Sequence, residues 1–433
     1  MLSKLRIRLK YIVIRVELRW NCHYSKKPSF SKKLGFLSQE GEKMTHWIFI
    51  ILVALTAYYA VIVFSILVGT LRVCRGSASI PALSKDKTNR PFVSVLIPAR
   101  NEEENIGECL TSLMKQDYPE DKYEIVVVND RSTDNTYEVI KGFHTNVVCL
   151  NIEFLPEGMV GKQHAVKQGL EICKGELILN TDADCVLPPS WISKIVDSFD
   201  EHTGFVAGMV TTAEKGQRAS LFAKLQALDL IYLMNFAIGC IGWGKPTSCL
   251  GNNITYRKQV LDDIGGYESL GYTMTEDAAL IQAVGKRTNW KVDVALHEDA
   301  VITTKPVEKL KALYRQRSRW ILGGRDTQTK TIVFLQLALW FNLALLALFP
   351  LSFFVNVRLP IIVFGTFIVK LLIDFILCFP LARKIRRLDL LKWMLPYEAF
   401  LIFYSVLIGF GTLFARKVTW KGQTYRRKNL VAK

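Results

Sequence analysis

The sequence lacks a CxxC pair, an internal repeat and a low-complexity tract. Its nine cysteines are scattered, which fits neither a disulfide framework nor a zinc site. We interpret them as small buried residues in a reducing compartment. The absence of repeated halves argues against a transporter, because many transporter folds are built from internal repeats. The cysteines are Cys22, Cys74, Cys109, Cys149, Cys173, Cys185, Cys240, Cys249 and Cys378.

Charged side chains are missing from two long apolar runs, 46–71 and 331–357, with histidine taken as neutral. At a rise of about 1.5 Å per residue, such runs cross a bilayer core of about 30 Å. The first run is too long for the core of a signal peptide and has no clean cleavage site. We predict a multi-pass integral membrane protein. Its predicted membrane segments are 46–71, 331–357, 359–382 and 394–415.

The segment 359–382 contains two charges, Lys370 and Asp374. Their i, i+4 spacing lets them face each other on one helix. A charge inside a membrane segment is a functional hypothesis by default. A mutually satisfied structural pair is the alternative interpretation.

Acidic residues number 39 against 56 basic ones, which gives a net charge of +17. Residues 1–43 alone carry 11 basic and 3 acidic side chains, and further basic clusters flank the apolar runs. Charges beside membrane spans set topology and contact anionic head groups. We therefore expect membrane lipids as partners and no nucleic acid.

The basic clusters also bear on topology. We interpret 1–43 either as a basic arm or as an over-extended start. If translation begins at Met44, the linker 72–92 and the domain after it are cytoplasmic. If 1–43 are translated, both flanks of the first segment are basic and the positive-inside rule does not decide the orientation. Three later spans would place the basic tail 416–433 outside, against the positive-inside rule. One of them is therefore expected to be re-entrant or interfacial, and 394–415 is interpreted as transmembrane or re-entrant.

Between the membrane segments, short apolar runs alternate with helical stretches. The runs are VSVLIP (93–98), YEIVVVND (123–130), VVCLN (147–151) and ELILN (176–180). This alternation predicts an α/β domain over 93–325, with a mostly parallel sheet covered by helices on both faces.

Two acids, Asp182 and Asp184, directly follow the run 176–180. They are therefore expected at the carboxyl end of a strand, where ligands of open α/β sheets bind. Two carboxylates so close repel each other unless a cation lies between them, and a hard divalent cation fits such a pair. A solvated turn is the alternative.

Acids also stand after another strand and at a helix start. Asp130 could accept hydrogen bonds from a base or ribose, the alternative being a helix capped by Ser132 or Thr133. In TED, Asp277 or Glu276 could act as a general base. The alternative is that both are first-turn acids favoured by the helix dipole.

The motif QRSRW (316–320) precedes the second membrane segment. Gln316 and Trp320 lie i, i+4 on a helix, and Arg319 supplies a cationic fork that suits a pyrophosphate. The alternative is a membrane-interface belt, where Trp and Arg are both frequent.

In this order, the motifs resemble family 2 glycosyltransferases with a GT-A catalytic domain, over Val93 to Trp320. The resemblance implies a Rossmann-like, mostly parallel sheet with flanking helices, plus transmembrane helices. The tail TWKGQTY (419–425) is similar to the tails of membrane-bound members. The matching segments are VSVLIPARNEEENI (93–106), NDRSTD (129–134), GKQHAVKQG (161–169), DAD (182–184), GNN (251–253), GGY (265–267), TED (275–277) and QRSRW (316–320).

On the donor side, the resemblance implies that Asp130 contacts the uridine or equivalent base and that Lys162 lies near the nucleotide. It places Asp182 at the ribose side and Asp184 on a divalent cation, Mn or Mg. Asn129 departs from the pattern, since many members carry an acid there, and this puts the base contact in doubt.

On the acceptor side, the resemblance makes Asp277 the catalytic base. Gln316, Arg319 and Trp320 are expected to line the acceptor and pyrophosphate region.

The predicted function is inverting transfer of a sugar from a nucleotide sugar, a UDP-sugar by preference, to a lipid-linked or glycan acceptor. It is expected at the cytoplasmic face of a bacterial inner membrane. The alternative enzyme is a processive polysaccharide synthase of the cellulose, chitin or hyaluronan type. The alternatives from other classes are a non-enzymatic membrane scaffold and a transporter.

Overall fold

The structure is a computed structural model that describes residues 30–76, 90–143, 147–213, 216, 218–324, 329–415, 417–420 and 423–426. Most of the predicted arm 1–43, most of the linker 72–92, part of the tail 416–433 and Cys22 lie outside these residues. The eight cysteines within them are free thiols.

A seven-stranded sheet forms the centre of the α/β domain, in the order β3-β2-β1-β4-β8-β6-β9. Neighbouring strands are parallel except on either side of β8, which runs antiparallel to β4 and β6. The strands are β1 (Val93–Ala99), β2 (Tyr123–Asp130), β3 (Val147–Ile152), β4 (Leu177–Thr181), β6 (Thr203–Ala207), β8 (Asn253–Arg257) and β9 (Lys291–Val294).

The central strands are buried on both faces because their apolar runs are continuous. Leu96 and Val126 point into one core cluster. Val95 and Ile125 point into the other. Successive side chains of a strand face opposite sides, so each run supplies both cores at once. The predicted mostly parallel, helix-covered sheet is thereby confirmed.

The remaining strands form two smaller sheets. A three-stranded sheet, β5-β10-β7, lies beside the carboxyl end of β4, and a two-stranded hairpin follows the last helix. These strands are β5 (Cys185–Val186), β7 (Val210–Thr211), β10 (Ile302–Thr304), β11 (Lys417–Trp420) and β12 (Gln423–Arg426).

Twelve α-helices occur in the described residues. They are α1 (Phe30–Gly76), α2 (Ile106–Leu113), α3 (Thr136–Lys141), α4 (Gly161–Ile172), α5 (Trp191–Val196), α6 (Leu221–Gly242), α7 (Lys258–Asp263), α8 (Glu276–Arg287), α9 (Leu310–Gly324), α10 (Thr329–Val355), α11 (Leu359–Lys384) and α12 (Met394–Phe414). Short 3₁₀ turns lie at Glu120–Lys122, Tyr267–Leu270, Glu298–Ala300 and Leu388–Trp393.

Five helices are long and apolar enough to cross a membrane, namely α1, α6, α10, α11 and a segment that includes α12. Four of them contain or closely match the predicted membrane segments. The fifth, α6, differs in its surroundings: 72% of its apolar window is buried, against 22% in α1 and 28% in α11. Because protein surrounds α6 on most sides, it packs as a core helix between the α/β domain and the other apolar helices.

Glycines let α1 and α6 pack with their backbones in contact. A Cβ on Gly239 would lie 2.8 Å from the carbonyl oxygen of Ile66, and a Cβ on Gly69 would meet the backbone of Gly239. Small residues permit this close approach of two apolar helices. The crossing fixes α1 against a helix whose two ends both lie in the α/β domain.

A buried ion cluster joins the apolar helices. Lys370 Nζ lies 2.8 Å from Asp374 Oδ2, as the i, i+4 spacing predicts, and it also pairs with Glu398 of α12. Tyr59 of α1 donates to Asp374 Oδ1 at 2.5 Å and lies 2.9 Å from the hydroxyl of Tyr232 in α6. The cluster therefore links four helices.

Candidate active site

The carboxyl ends of β2 and β4 bring the predicted donor-site acids to one edge of the sheet. Asp130 is the last residue of β2, and Asp182 and Asp184 follow β4. Because β2, β1 and β4 are parallel neighbours, their carboxyl ends lie side by side. This edge is where ligands of such sheets bind.

Lys162, in the first turn of α4, connects two of the motifs. Its Nζ lies 2.7 Å from Asp182 Oδ1 and 3.6 Å from Glu276 Oε1. Burial alone would lower the pKa of Lys162, but the nearby carboxylates outweigh it and hold the pKa of Lys162 above its usual range. Lys162 is therefore a permanent cation between the DAD and TED motifs.

Asp184 is held by a hydroxyl and surrounded by acids. Thr304 Oγ1 of β10 donates to its Oδ2 at 3.2 Å. Burial, together with repulsion from Asp182 and Glu102, raises the pKa of Asp184 to about 6. A cation bound beside these carboxylates would reduce their mutual repulsion.

A divalent cation fits this donor set in one specific way. Among the described residues, no group of three or more His, Cys, Asp or Glu side chains could hold a metal ion. Mg²⁺ and similar ions are, however, commonly bound by one or two carboxylates together with substrate phosphates. Asp184, with Asp182 beside it, meets that requirement.

The TED motif begins α8, and its two acids have different surroundings. Glu276 faces Lys162, whereas Asp277 accepts a hydrogen bond from the backbone N–H of Ala278 at 2.9 Å. Burial raises the pKa of Asp277, and Lys162 and Arg319 offset part of this rise. Burial raises the pKa of Glu276 as well, so the pKa does not separate the two acids. The ion pair with Lys162 engages Glu276, which favours Asp277 as the base.

Gly251 of the GNN segment backs Asp277 directly. A Cβ on Gly251 would lie 2.6 Å from Asp277 Oδ2. Its neighbour Asn253 is structural: its amide donates to the carbonyl oxygens of Met209 and Ala300 at 2.8 and 3.0 Å. In the sequence, GNN stood out only as part of the family resemblance. No feature of the sequence indicated that Gly251 leaves space for the Asp277 carboxylate.

Helix α9 carries QRSRW to the same place. A Cβ on Gly323 would lie 2.5 Å from Thr275 Cγ2, so the end of α9 abuts the start of α8. Arg319 is close enough to lower the pKa of both Glu276 and Asp277. Trp320 packs against the core cluster that contains Ala183 and Cys185, and Gln316 lies half-buried on the same helix.

Asp130 lies at the predicted edge but is already paired. Arg131 donates to it through Nε at 2.7 Å and through Nη2 at 2.9 Å. Asn129, where the chain departs from the family pattern, instead donates to Asn151 Oδ1 at 2.6 Å and so links β2 to β3. His164 of α4 lies close enough to Asp130 to feel its charge, although burial lowers the pKa of His164.

Ser132 and Thr133, the residues that the alternative interpretation named, do not cap a helix. Ser132 Oγ accepts from the backbone N–H of Asn101 at 3.0 Å, and Asp134 accepts from that of Glu103 at 3.1 Å. Helix α3 accordingly begins only at Thr136. The segment NDRSTD thus fixes the loop after β1, which is a role that the sequence did not indicate.

The structure therefore brings together Lys162, Asp182, Asp184, Asp277 and the QRSRW helix. It places Asp130 at the same sheet edge, in a separate ion pair.

Comparison with known proteins agrees with this arrangement. A probable glycosyltransferase, YdaM of Bacillus subtilis (strain 168), is 28% identical over 252 residues, covering 57% of this chain and 58% of the relative. The beta-monoglucosyldiacylglycerol synthase of Synechocystis sp. is 28% identical over 250 residues, with coverages of 56% and 50%. The chain spans about half the length of the curated relatives that it matches.

A further relative is the poly-beta-1,6-N-acetyl-D-glucosamine synthase of Staphylococcus epidermidis, 26% identical over 246 residues, covering 54% of this chain and 55% of the relative. Among solved structures, a mannosyltransferase from Pyrobaculum calidifontis in complex with GDP-Man and Mn2+ aligns with a TM-score of 0.50 at 18% identity. The alignment covers 85% of this chain and 99% of that protein. At this identity the likeness shows the fold alone.

The family comparison covers most of the chain. The family model of glycosyl transferase family 21 matches residues 56–429, which include the α/β domain, the second part of α1 and the other apolar helices. The predicted membrane-bound, GT-A-type glycosyltransferase is thereby confirmed, and so are the enzyme class and the association with a membrane. The chain belongs to glycosyl transferase family 21.

Proposed function

We propose that the protein transfers a sugar from a nucleotide sugar to the hydroxyl group of a lipid or lipid-linked acceptor, with inversion at the anomeric carbon. The observation that carries the proposal is Lys162, whose ammonium joins Asp182 at 2.7 Å to Glu276 at 3.6 Å and so places Asp277 beside the donor acids. The lipid acceptor is supported by the apolar helices and by the printed name of the Synechocystis relative.

The donor is proposed to lie along the carboxyl edge of the sheet. Asp130 receives the base, with uracil as the favoured one, and Asp182 receives the ribose. Lys162 lies close enough to Asp182 for its charge to stabilise an adjacent diphosphate. Asp184, with Asp182 beside it, would hold Mn²⁺ or Mg²⁺, which when bound neutralises charge on the departing diphosphate.

Asp277 is proposed to take the proton from the acceptor hydroxyl. The acceptor oxygen then forms a bond to the anomeric carbon as the bond from that carbon to the diphosphate oxygen breaks. The electron pair of the broken bond leaves with the nucleoside diphosphate. One displacement from the opposite face inverts the configuration.

Arg319 and Gln316 are proposed to face the leaving group, and Trp320 the acceptor. The guanidinium of Arg319 is always charged, so it stabilises the diphosphate without a proton of its own having to move. Arg319 lies near Asp277, so the leaving group and the proposed base would lie at the same end of α9.

We further propose that the catalytic domain lies on the cytoplasmic side and that α12 does not cross the membrane. Just before α12, Arg387 donates to Thr211 Oγ1 at 2.9 Å and to the carbonyl of Ala213 at 2.6 Å, both in the catalytic domain. Near its end, Gly411 abuts Tyr314 of α9. With both ends of α12 at the domain, the basic tail stays on the same side, in agreement with the positive-inside rule.

To test the proposal, purified protein is incubated with a panel of UDP- and GDP-sugars, with and without Mn²⁺. The release of nucleoside diphosphate is measured. We expect slow, metal-dependent release from one donor. It should be lost in Asp184→Ala and kept in Asp262→Ala, an exposed acid away from the site. Folded protein that neither binds nor hydrolyses any donor would contradict the proposal. Products of many sugar units would instead favour a processive synthase, as in the Staphylococcus relative.

A further inference from the structure

A buried arginine inside the QRSRW motif has a different environment from its neighbours. Arg317 is 5% exposed, and its Nη2 lies 2.6 Å from Asp229 Oδ2 of α6, which is itself 1% exposed. The sequence offered no reason to single out Arg317, because the partner is 88 residues away along the chain. The pair joins the motif helix to the apolar core helix.

Asp229 is held from a third helix. Tyr397 donates to its Oδ1 at 3.3 Å, and Tyr404 donates to the same oxygen; both belong to α12. One carboxylate on α6 thus accepts hydrogen bonds from two tyrosines of α12 and forms an ion pair with Arg317 of α9. A buried carboxylate with this many partners has a fixed position, and it fixes the guanidinium that faces it.

The other side of Arg317 faces Trp320. The guanidinium carbon lies 4.0 Å from the centre of the indole ring, which is a cation–π contact. Within the described residues, Nε and Nη1 of Arg317 have no hydrogen-bond partner. The Arg317 guanidinium is therefore held between Asp229 and the indole ring of Trp320. The same contact restrains the indole ring.

Trp320 connects this chain of contacts to the α/β domain. Its ring packs against the core cluster on one face of the central sheet. The contacts Asp229–Arg317–Trp320 therefore lead from the apolar helix α6 to the core of the domain that carries the candidate site.

We propose that Arg317 is a positioning residue that sets the plane of Trp320 for the acceptor, and that Asp229, Tyr397 and Tyr404 hold it there. This inference rests on the proposed function only in assigning the acceptor to Trp320. Membrane helices thereby shape the acceptor site without touching the acceptor.

The first measurement reports the indole directly and needs no activity. Protein labelled with 5-fluorotryptophan gives a ¹⁹F resonance for Trp320, which Trp320→Phe identifies. In Arg317→Lys and Arg317→Met this resonance is expected to shift and broaden while the others stay. Arg315→Met, on the exposed side of α9, should change nothing. An unchanged Trp320 resonance would overturn the proposal.

The second measurement separates acceptor from donor. In Arg317→Lys and in Tyr404→Phe, the acceptor KM is expected to rise about three- to tenfold, as expected for loss of one cation–π contact. Donor hydrolysis and its KM should stay at the wild-type level, which also shows that the variants fold. Transfer and donor hydrolysis that fall together would make Arg317 merely structural. If the wild-type protein hydrolyses no donor, the proposed function is contradicted. The Trp320 resonance then still shows whether Arg317 positions the indole ring.

Discussion

Gly251 leaves the space that the Asp277 carboxylate occupies, so one methyl group there should disable the proposed base. In Gly251→Ala the new Cβ would lie 2.6 Å from Asp277 Oδ2, which is too close for the carboxylate to stay. A misplacement of about 1 Å can cost about a hundredfold in rate. We expect such a loss in sugar transfer, measured at saturating donor, with donor affinity little changed.

The matched control is Gly365→Ala, where nothing lies within 4 Å of the new Cβ. This variant should transfer sugar at the wild-type rate. Equal rates for both glycine variants would mean that Asp277 does not need its observed position.

Asp184 has a pKa of about 6, above the ordinary range for an aspartate, because of burial and neighbouring acids. Without metal, its ionisation should therefore cost stability as pH rises from about 4 to about 6, by up to roughly 3 kcal/mol. Asp184→Asn should melt at a higher temperature than the wild type at pH 7.5 and at nearly the same temperature at pH 4. Melting curves of metal-free protein in detergent measure this. A difference that is greatest at pH 4 would refute the assignment.

At the scale of elements, the contact between α1 and α6 depends on glycine. In Gly239→Val the side chain would run into the backbone of Ile66. Overpacking of this kind costs roughly 1–3 kcal/mol, which corresponds to about 5 °C in Tm. Gly365→Val, on an open stretch of α11, serves as the control and should leave the Tm unchanged. A wild-type Tm for Gly239→Val would show that the two helices are not packed as described.

The Lys370 cluster ties α11 to α1 and α12 through one ammonium and two carboxylates. Lys370→Met leaves Asp374 and Glu398 buried without a counterion, which should cost roughly 3–5 kcal/mol. Adding Asp374→Asn and Glu398→Gln to the same chain should recover most of the loss, because neutral groups of similar shape need no counterion. Thermal melting of the single and triple variants tests this. A single variant as stable as the wild type would rule out a structural cluster.

Elements whose pattern is local were predictable from the sequence. The apolar runs 93–98 and 123–130 became β1 and β2 because short, continuous apolar runs rich in β-branched residues are typical of strands buried on both faces. The pairing of Lys370 with Asp374 followed from helical periodicity.

Contacts between distant segments were not predictable in this way. Glu398 beside Lys370 and Asp229 beside Arg317 depend on how helices pack, which no local pattern encodes. The same holds for Asp130. Its motif placed it at the sheet edge, but only the structure shows Arg131 folded back onto it.

Across the whole molecule, α9 connects the proposed catalytic residues to the apolar helices. Its Gly323 end abuts Thr275 at the start of the TED helix, and its Arg317 pairs with Asp229 of α6. This arrangement supports the proposed acceptor that reaches the site from the bilayer.

The most direct test of this account is sugar transfer by protein in lipid nanodiscs, using the donor identified from the panel and a lipid extract as acceptor. The product would be analysed by NMR for its anomeric configuration, for wild type and for Asp277→Asn. We expect a glycolipid of configuration opposite to that of the donor, formed at least about a hundredfold more slowly by Asp277→Asn, which should still bind the donor. A product that retains the donor configuration, or transfer by Asp277→Asn at the wild-type rate, would contradict the proposed mechanism.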